Sequence, residues 1–328
     1  MNPEMFRLTA RDQLSLQGYA WVPADTHSVK GAVWIIHGFG EYAGRYQHVA
    51  ERLNAAGYAV FAHDHRGHGL SDGRRGVAPN YDQFLQDINS VRQQICVLPQ
   101  YTLLSDEAKN RQFMWAHSFG GGLGLNYLLR RYGERVALPP LRGYIISSPW
   151  LKLANPPNAL KVGAAYLIHL VYPQFVTNAS IDSTQISSDP EVQRRYKEEV
   201  NDPEGLLHGK ISYTLLAGAN SAGCYALSSA GSVKSIGVPV RLIHGGRDQV
   251  TSAEASRAFA EKANTGCSPD HLAVEFDWRA GLLHETHNEI GRDAIIQDHI
   301  QWLDKQGMTA QSKTNLTSTS SSRLVVDG

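Results

Sequence analysis

Short apolar runs alternate with segments of helical periodicity along this chain, and no other feature restricts its fold as strongly. The runs at 31–38 (GAVWIIHG), 58–64 (YAVFAHD) and 111–117 (RQFMWAH) are rich in β-branched and aromatic residues, as expected for strands buried on both faces. A segment with helical spacing follows each run; the first is RYQHVAERLNAAG, which ends at Gly57. This alternation predicts a mostly parallel sheet with helices on both of its faces.

Two regions depart from the alternation. Near the start, the runs at 5–11 and 14–22 predict a pair of antiparallel strands. Between Trp150 and about Gly231, prolines cluster and two apolar helical stretches occur. This break predicts a helical cap inserted into a core that continues on either side of it.

The predicted domain organisation therefore has four parts. Residues 1–150 and 232–306 form the two halves of the core, and residues 151–231 form the cap. The tail, 307–328, is rich in serine and threonine and only weakly apolar, which predicts disorder.

The composition excludes several classes of protein. Lysine plus arginine and aspartate plus glutamate both number 31 and no long basic block occurs, so a nucleic-acid partner is not expected. No apolar run approaches the roughly 20 residues that a membrane-spanning helix needs. The first residues lack the charged-then-apolar pattern of a signal peptide, and three widely spaced cysteines favour a reducing compartment. We expect a cytoplasmic location, in solution or at a membrane surface.

The segment WAHSFGGGLG places Ser118 between a predicted strand and a glycine-rich helix. A sharp turn at such a junction lifts a serine hydroxyl clear of the sheet, and it requires small residues two positions before and two positions after the serine. Ala116 and Gly120 occupy those positions. The following helix would point its amino terminus at the site and favour developing negative charge. The alternative is a serine that only caps the helix.

The turn is typical of a nucleophilic serine, which needs a histidine as base and an acid to orient that histidine. On this kind of turn the acid follows the serine in sequence and the histidine follows the acid, so both are expected further along the chain. Asp248 lies just after the predicted strand 238–246, two residues beyond a Gly-Gly turn. Its alternative role is to cap the next helix. Asp277 is the rival acid, but it lies inside or at the edge of a strand.

The histidine of the site has two candidates. His284 lies in the loop after the last predicted strand, and His287 is one helical turn further on. The pair could also be metal ligands, although no third ligand is obvious. A second group, HDHRGHGLSDG at 63–73, holds three histidines and two aspartates, but its glycine spacing favours a structural loop beside the pocket. We therefore expect no metal and no cofactor.

Stabilising an oxyanion requires two backbone N–H donors. One is expected from Phe119, the residue after the serine. The other is expected from Phe39, which lies between Gly38 and Gly40 in HGFGEYAGRY. The same glycines could form a simple turn after a buried strand, and the two interpretations are compatible.

Several segments carry a family resemblance when they are taken together and in order: HGFGEYAGRY, FAHDHRGHGLSDG, AHSFGGG, SSPWLKLANP, NDPEG, HGGRDQVT and LLHETHNE. They resemble the monoacylglycerol lipase and lysophospholipase branch of the α/β-hydrolases, also called the serine aminopeptidase-like hydrolases. The likeness runs from about Leu14 to Leu303 and includes the cap. It implies the α/β-hydrolase fold, with a mostly parallel central sheet and an inserted helical cap.

The resemblance also implies a function. Members of this branch are serine hydrolases that cleave one acyl ester of a glycerol-containing lipid, such as a monoacylglycerol or a lysophospholipid. The family's triad falls on Ser118, Asp248 and His284, which favours His284 over His287. One departure is Ala116, which replaces the first glycine of the turn.

Further residues match the family near the alcohol part of the substrate. The glutamate and arginine of its HGxGE…GRY stretch correspond to Glu41 and Arg45, and its second histidine corresponds to His287. The alternative for Glu41 and Arg45 is an exposed ion pair with i, i+4 spacing. Monoacylglycerol lipases often carry a tyrosine just ahead of Asn-Asp-Pro, whereas Tyr196 lies several residues further back here.

The sequence leaves open two other functions, a peptidase and a non-catalytic scaffold, and one interaction, a contact with a membrane surface. A proline iminopeptidase would need acidic groups to hold a free amine, whereas the acidic residues of the cap are typical of a solvated face: Asp189, Glu191, Glu198 and Glu199. A non-catalytic scaffold or receptor is the other alternative, although such proteins often lose a triad residue. The apolar stretch 162–175 could face the acyl pocket, a membrane surface or both, or it could be buried between cap and core.

Overall fold

The computed structural model describes residues 2–179, 181–202 and 205–321, with side chains as far as residue 307. Within them the strands are β1 (Glu4–Thr9), β2 (Ser15–Trp21), β3 (Gly31–Ile36), β4 (Tyr58–His63), β5 (Gln112–His117), β6 (Leu141–Ser147), β7 (Val176–Asn178), β8 (Lys210–Ser212), β9 (Val240–Gly245) and β10 (Val274–Arg279).

Eight of these strands form one sheet in the order β1-β2-β4-β3-β5-β6-β9-β10. β1 pairs with β2, and β2 with β4, in antiparallel fashion, and every other neighbouring pair is parallel. The antiparallel start and the mostly parallel sheet that the sequence predicts are therefore both present.

The helices within the described residues are α1 (Gln47–Ala55), α2 (Asp82–Ile95), α3 (Pro99–Thr102), α4 (Asp106–Asn110), α5 (Ser118–Leu129), α6 (Ala159–Val171), α7 (Ser183–Ile186), α8 (Pro190–Asn201), α9 (Tyr213–Ser229), α10 (Ser232–Ile236), α11 (Ala253–Ala263) and α12 (Arg292–Ser321). α1 and α12 cover one face of the sheet, and α2, α5 and α11 cover the other.

Burial on both faces explains the continuous apolar runs of the central strands. In β3, Trp34 and Ile36 belong to the core under α2 and α5, whereas Val33 and Ile35 belong to the core under α1 and α12. Because successive side chains of a strand point to opposite faces, no position in β3 is left for a polar residue.

Residues 151–231, which we call the insertion segment, lie between β6 and β9 and contribute no strand to the main sheet. β7 and β8 form a separate antiparallel pair, α9 packs against α5, and α6 packs against α9. None of the described helices is long and apolar enough to cross a membrane.

The last helix extends beyond the point where the sequence predicts a disordered tail. α12 begins at Arg292, and its backbone is described as helix to Ser321. The remainder of the predicted tail, 322–328, lies outside the described residues.

Candidate active site

Ser118 lies at the turn from β5 into α5, where its φ is +54°. A positive φ is uncommon for residues other than glycine, and this turn raises the serine above the end of the strand. Gly120 is required by packing, because a Cβ there would lie 2.3 Å from the carbonyl oxygens of Ile36 and His37. The Ser118 hydroxyl is 2.9 Å from His284 Nε2, so the side chain does not serve as a cap of α5.

Ala116 is accommodated at the other small-residue position of this turn. The residue is fully buried, and a Cβ added at Gly124 would lie 3.0 Å from the Ala116 Cβ. The extra methyl group at position 116 therefore fits because Gly124, in the second turn of α5, has none. Helix and strand still approach closely, as this kind of turn requires.

Ser118, His284 and Asp248 form a continuous chain of hydrogen bonds. His284 Nε2 lies 2.9 Å from Ser118 Oγ, and His284 Nδ1 lies 2.7 Å from Asp248 Oδ2. The Asp248 Oδ1 atom accepts from the backbone N–H groups of Val250 and Thr251, at 2.7 and 3.0 Å. The structure thus brings together the three side chains that the sequence singles out, each from just beyond the carboxyl end of a different strand.

The electrostatic environment of the hydrogen-bonded triad favours an ionised Asp248 and a basic His284. Burial alone would raise the pKa of Asp248, but the neighbouring His284 and the hydrogen bond from His244 outweigh burial and hold that pKa far below its usual value. Burial alone would lower the pKa of His284, but the Asp248 carboxylate outweighs it, so the pKa of His284 is raised. A carboxylate that stabilises the imidazolium makes His284 a better proton acceptor.

The alternatives for the acid are occupied elsewhere. Asp277 lies in β10 and pairs with Arg241 and Arg279, at 3.0 and 2.8 Å, rather than with a histidine. Ser252 is the N-cap of α11 and accepts from the Ala255 N–H, so Asp248 does not cap that helix.

The two predicted oxyanion donors lie close together, one in the loop after β3 and the other in the first turn of α5. Phe39 follows β3, Phe119 follows the serine, and their rings meet edge to face at 6.3 Å. Gly38 leads into the loop with its N–H 2.5 Å from Glu41 Oε1. Within the described part of the chain, the N–H groups of Phe39 and Phe119 have no acceptor, so both are available to a bound ligand.

Glu41 and Arg45 do not form the exposed ion pair considered above. Arg45 is 2.7 Å from Glu41 and also makes a two-pronged contact with Glu285, at 2.8 and 2.9 Å, and all three side chains are at least 90 % buried. Burial would raise the pKa of Glu285, but the Arg45 guanidinium outweighs it and lowers that pKa to about 2. This cluster joins the loop that carries Phe39 to the loop that carries His284.

His287 packs beside this cluster and does not contact Asp248. Its ring stacks on Tyr46 at 4.8 Å and meets His117 edge to face at 4.8 Å. Neither ring nitrogen has a hydrogen-bond partner within the described residues. Tyr196 reaches the same region despite its distance in sequence from Asn-Asp-Pro, with its ring 5.6 Å from the Arg45 guanidinium carbon.

A cavity of about 710 Å³ opens over Ser118. The insertion segment supplies most of its walls, chiefly through α6 and the chain around β7. Its lining is mainly apolar: Phe39, Trp150, Leu153, Val162, Ala165, Ile168, Phe175, Ile181, Ile211, Leu216 and Val250. Lys161 is the single charged side chain among the described lining residues. Neither Glu41, Arg45 nor His287 borders this cavity; Arg45 borders a separate one of about 410 Å³.

The histidine-rich loop at 63–73 has a structural explanation. Asp64 accepts hydrogen bonds from the Tyr19 hydroxyl and from the N–H groups of Ala43 and Leu70, and Arg66 pairs with the buried Asp87. Among the described residues, no group of three or more histidine, cysteine, aspartate or glutamate side chains is placed to hold a metal ion.

Two residues of the site escape prediction from the sequence. Glu285 stands between the candidate histidines in HETHNE, and only the fold reveals that it pairs with Arg45. His244 precedes the Gly-Gly turn ahead of Asp248, and its spacing of four residues from that aspartate is the one signal that could have suggested a contact.

The sheet order and the Ser118–His284–Asp248 chain at a strand-to-helix turn define the class of protein: an α/β-hydrolase. The family model of serine aminopeptidase S33 matches residues 27–291. The chain therefore belongs to the serine aminopeptidase S33 family, and it is a hydrolase.

Several relatives are similar to this chain along most of its length. The monoacylglycerol lipase of Mycolicibacterium smegmatis is 29% identical over 284 residues, which cover 86% of this chain and 90% of the relative. The monoglyceride lipase of Homo sapiens is 27% identical over 307 residues, covering 88% and 87%. An uncharacterized abhydrolase domain-containing protein of Dictyostelium discoideum is 29% identical over 96% of this chain, which spans 30% of that relative.

The solved structures agree in fold. A soluble variant of monoglyceride lipase from Saccharomyces cerevisiae, in complex with a substrate analog, aligns with a TM-score of 0.74 at 24% identity, over 93% of this chain and 95% of the other. The monoacylglycerol lipase of Paleococcus ferrophilus aligns with a TM-score of 0.69 at 24% identity, over 93% and 100%. These similarities confirm the predicted fold class.

Proposed function

We propose that this protein is a serine esterase that cleaves the acyl ester of a single-chain glycerolipid, a monoacylglycerol in preference to a lysophospholipid. The observation that carries the proposal is the hydrogen-bonded chain Ser118–His284–Asp248, whose serine borders a mainly apolar cavity of about 710 Å³. Relatives named monoacylglycerol and monoglyceride lipase support the substrate class.

In the proposed mechanism Ser118 Oγ attacks the ester carbonyl carbon while His284 Nε2 takes the hydroxyl proton. Asp248 holds the imidazole in position and stabilises its cation. The N–H groups of Phe39 and Phe119 bind the oxyanion. The imidazolium then gives its proton to the departing alcohol oxygen, which leaves an acyl-serine. A water molecule repeats the sequence, releases the fatty acid and restores Ser118.

The cavity favours an acyl chain with a neutral alcohol. A volume of about 710 Å³ is within the range of small-ligand pockets. A phosphate-bearing head group would need arginine or lysine donors, and Lys161 is the single cation of the described lining. Glu41 and Arg45 pair with each other and with Glu285, so we assign them to holding the Phe39 loop. His287 does not border the cavity, and we assign it to packing against Tyr46 and His117.

The substrate test compares lipids that share one acyl chain. We expect kcat/KM to be at least about tenfold higher for a monoacylglycerol than for the matching lysophosphatidylcholine. The reason is that the free-energy cost of burying a phosphate without a cationic partner exceeds the free-energy difference that a tenfold ratio represents. The measurement is fatty-acid release by mass spectrometry, with Ser118→Ala as the blank. Faster cleavage of the lysophospholipid would contradict the assigned head group.

The structure gives less support to a peptidase. The acidic residues in α8 and at its N-cap are engaged elsewhere and do not offer a site for a free amine: Glu191 and Glu198 pair with Arg194, Asp189 caps α8, and Glu199 accepts from the Tyr42 hydroxyl. Release of naphthylamine from a prolyl amide, with no release of p-nitrophenol from acyl esters, would favour the peptidase. Failure of Ser118 to react with a fluorophosphonate probe would favour a non-catalytic scaffold.

We also propose that α6 contacts the membrane from which a lipid substrate is drawn. None of its residues is buried, so the alternative of a helix packed between cap and core is wrong. One side of α6 lines the cavity, and the other exposes apolar side chains, with Leu167 64% and Val171 89% exposed. Apolar residues exposed in one patch are typical of an interaction surface.

The membrane contact predicts that Leu167→Glu/Val171→Glu weakens binding to lipid vesicles at least about tenfold, because two charged groups replace roughly 1.5 to 3 kcal/mol of apolar burial each. Co-sedimentation with phosphatidylcholine vesicles measures the binding. Leu103→Glu/Val97→Glu is a matched control, since these two residues are 62% and 75% exposed and lie outside the insertion segment. Equal binding by both double variants would contradict the assignment.

A further inference from the structure

One oxygen atom of Asp248 accepts hydrogen bonds from two imidazoles. Oδ2 lies 2.7 Å from His284 Nδ1 and 3.0 Å from His244 Nε2. His244 lies in β9, and both its side chain and the carboxylate are fully buried. The mechanism above does not use His244, although this residue contacts the acid as directly as His284 does.

The partners of His244 indicate where its proton lies. An ionised carboxylate only accepts hydrogen bonds, so Nε2 must carry the hydrogen. Nδ1 lies 2.8 Å from Ser256 Oγ, a hydroxyl that can donate to it. One proton on the imidazole therefore satisfies both contacts, and a row of donors runs from Ser256 through His244 to Asp248.

We propose that His244 is a positioning residue of the active site: it donates the second imidazole hydrogen bond to Asp248 and so sets how this carboxylate orients and polarises His284. The inference rests on the proposed function, because it acts through the same Ser118, His284 and Asp248. His244 does not touch the reacting atoms.

The physical consequence concerns how the negative charge of Asp248 is shared. Each donor on Oδ2 draws on the same lone pairs, so removing one leaves more charge facing the other. Without His244, the carboxylate would hold a proton on His284 more strongly, and it would lose one of the contacts that fix its rotation. The backbone donors on Oδ1 would remain, and so would the Thr251 hydroxyl, which lies 3.0 Å from Oδ2.

Other titratable and charged groups also influence the pKa of His284, and any test of His244 must leave these residues unchanged. Those that face it from neighbouring elements are His117, Glu41, Arg45, Glu285 and His287. None of them has a hydrogen bond with His244, so a substitution there changes the pH response of His284 chiefly through Asp248.

The test compares His244→Leu, which removes the donor, with His244→Gln, whose amide N–H can replace the Nε2–H. The readout is the rate at which a fluorophosphonate labels Ser118 between about pH 5.5 and 9.5. We expect the plateau rate of His244→Leu to fall about ten- to hundredfold and its acid midpoint to rise by about one pH unit, because His284 must be neutral to act as base. His244→Gln should restore the wild-type midpoint.

A merely structural role would leave the midpoint where it is. His299→Leu is the matched control, because it also removes a buried imidazole but one that contacts Trp115 and Arg241. It should lower the melting temperature and leave the midpoint unchanged. An unchanged midpoint in His244→Leu would overturn the inference.

A second variant decides the matter if His244→Leu does not fold. Ser256→Ala removes the donor to Nδ1 and should give a smaller shift in the same direction, whereas an unchanged midpoint would again overturn the inference. If the wild-type chain is not labelled at any pH, the proposed function fails instead, so the two failures are distinguishable.

Discussion

Ser118→Ala is expected to lower ester turnover by about 10⁴- to 10⁶-fold. The substitution removes the one oxygen that lies within hydrogen-bond distance of His284 Nε2, and the imidazole is then left with no nucleophile to activate. The measurement is kcat with a monoacylglycerol or a p-nitrophenyl acyl ester, together with mass spectrometry of the fluorophosphonate-treated protein.

The fold of this variant should be retained. The side chain at 118 is small and the helix beyond it is packed by glycines, so the change leaves no large cavity. Ser90→Ala is a suitable control: Ser90 is also a buried serine, but it lies on α2 and does not border the cavity. Turnover within about tenfold of wild type in Ser118→Ala would show that another residue is the nucleophile.

Acidification below about pH 6.5 is expected to destabilise the protein steeply. Nine histidines of the described residues have a pKa lowered chiefly by burial: His37, His48, His63, His65, His68, His117, His208, His287 and His299. For His63 and His68 the pKa falls from 6.5 to about 4. Between these values the unfolded chain binds a proton that the folded chain does not.

The sign of this effect follows from the direction of the shift. Stability is fully present above the unfolded pKa and is lost as the pH falls toward the folded pKa, by about 1.4 kcal/mol per pH unit for each such group. Asp64, Glu41 and Asp87, whose pKa values burial raises, act in the opposite direction but are fewer. Since domains are stable by about 5 to 15 kcal/mol, unfolding is expected within roughly two pH units.

The test is the free energy of unfolding measured by denaturant titration between about pH 7.5 and 5. His63→Leu should reduce the slope of stability against pH by about 1.4 kcal/mol per unit relative to wild type. A melting temperature that stays constant over the same range would contradict the argument.

The sequence predicts the sheet well for a physical reason. Strands buried on both faces must be apolar throughout, and the glycines and prolines that end them are local signals. The serine, the acid and the histidine could be anticipated in the same way, because each stands in a loop directly after such a strand. The close approach of these three loops then follows from the parallel order of β5, β9 and β10.

What the sequence does not predict depends on contacts between distant segments. Glu41 and Arg45 have the spacing of a surface pair on a helix, and their burial results from Glu285, which lies more than two hundred residues away. Likewise α6 is as apolar as a buried helix, yet nothing in its periodicity distinguishes a helix that covers a cavity from one that packs inside the core.

The fit between Ala116 and Gly124 bears on how such enzymes are recognised. A search pattern that demands glycine on both sides of the nucleophile would pass over this chain, although its turn has the required geometry. What the turn requires is a small combined side-chain volume at two positions, 116 on the strand and 124 on the helix. Hydrolases in which a methyl group has moved between these two sites should therefore be sought by pairing the positions, not by reading either alone.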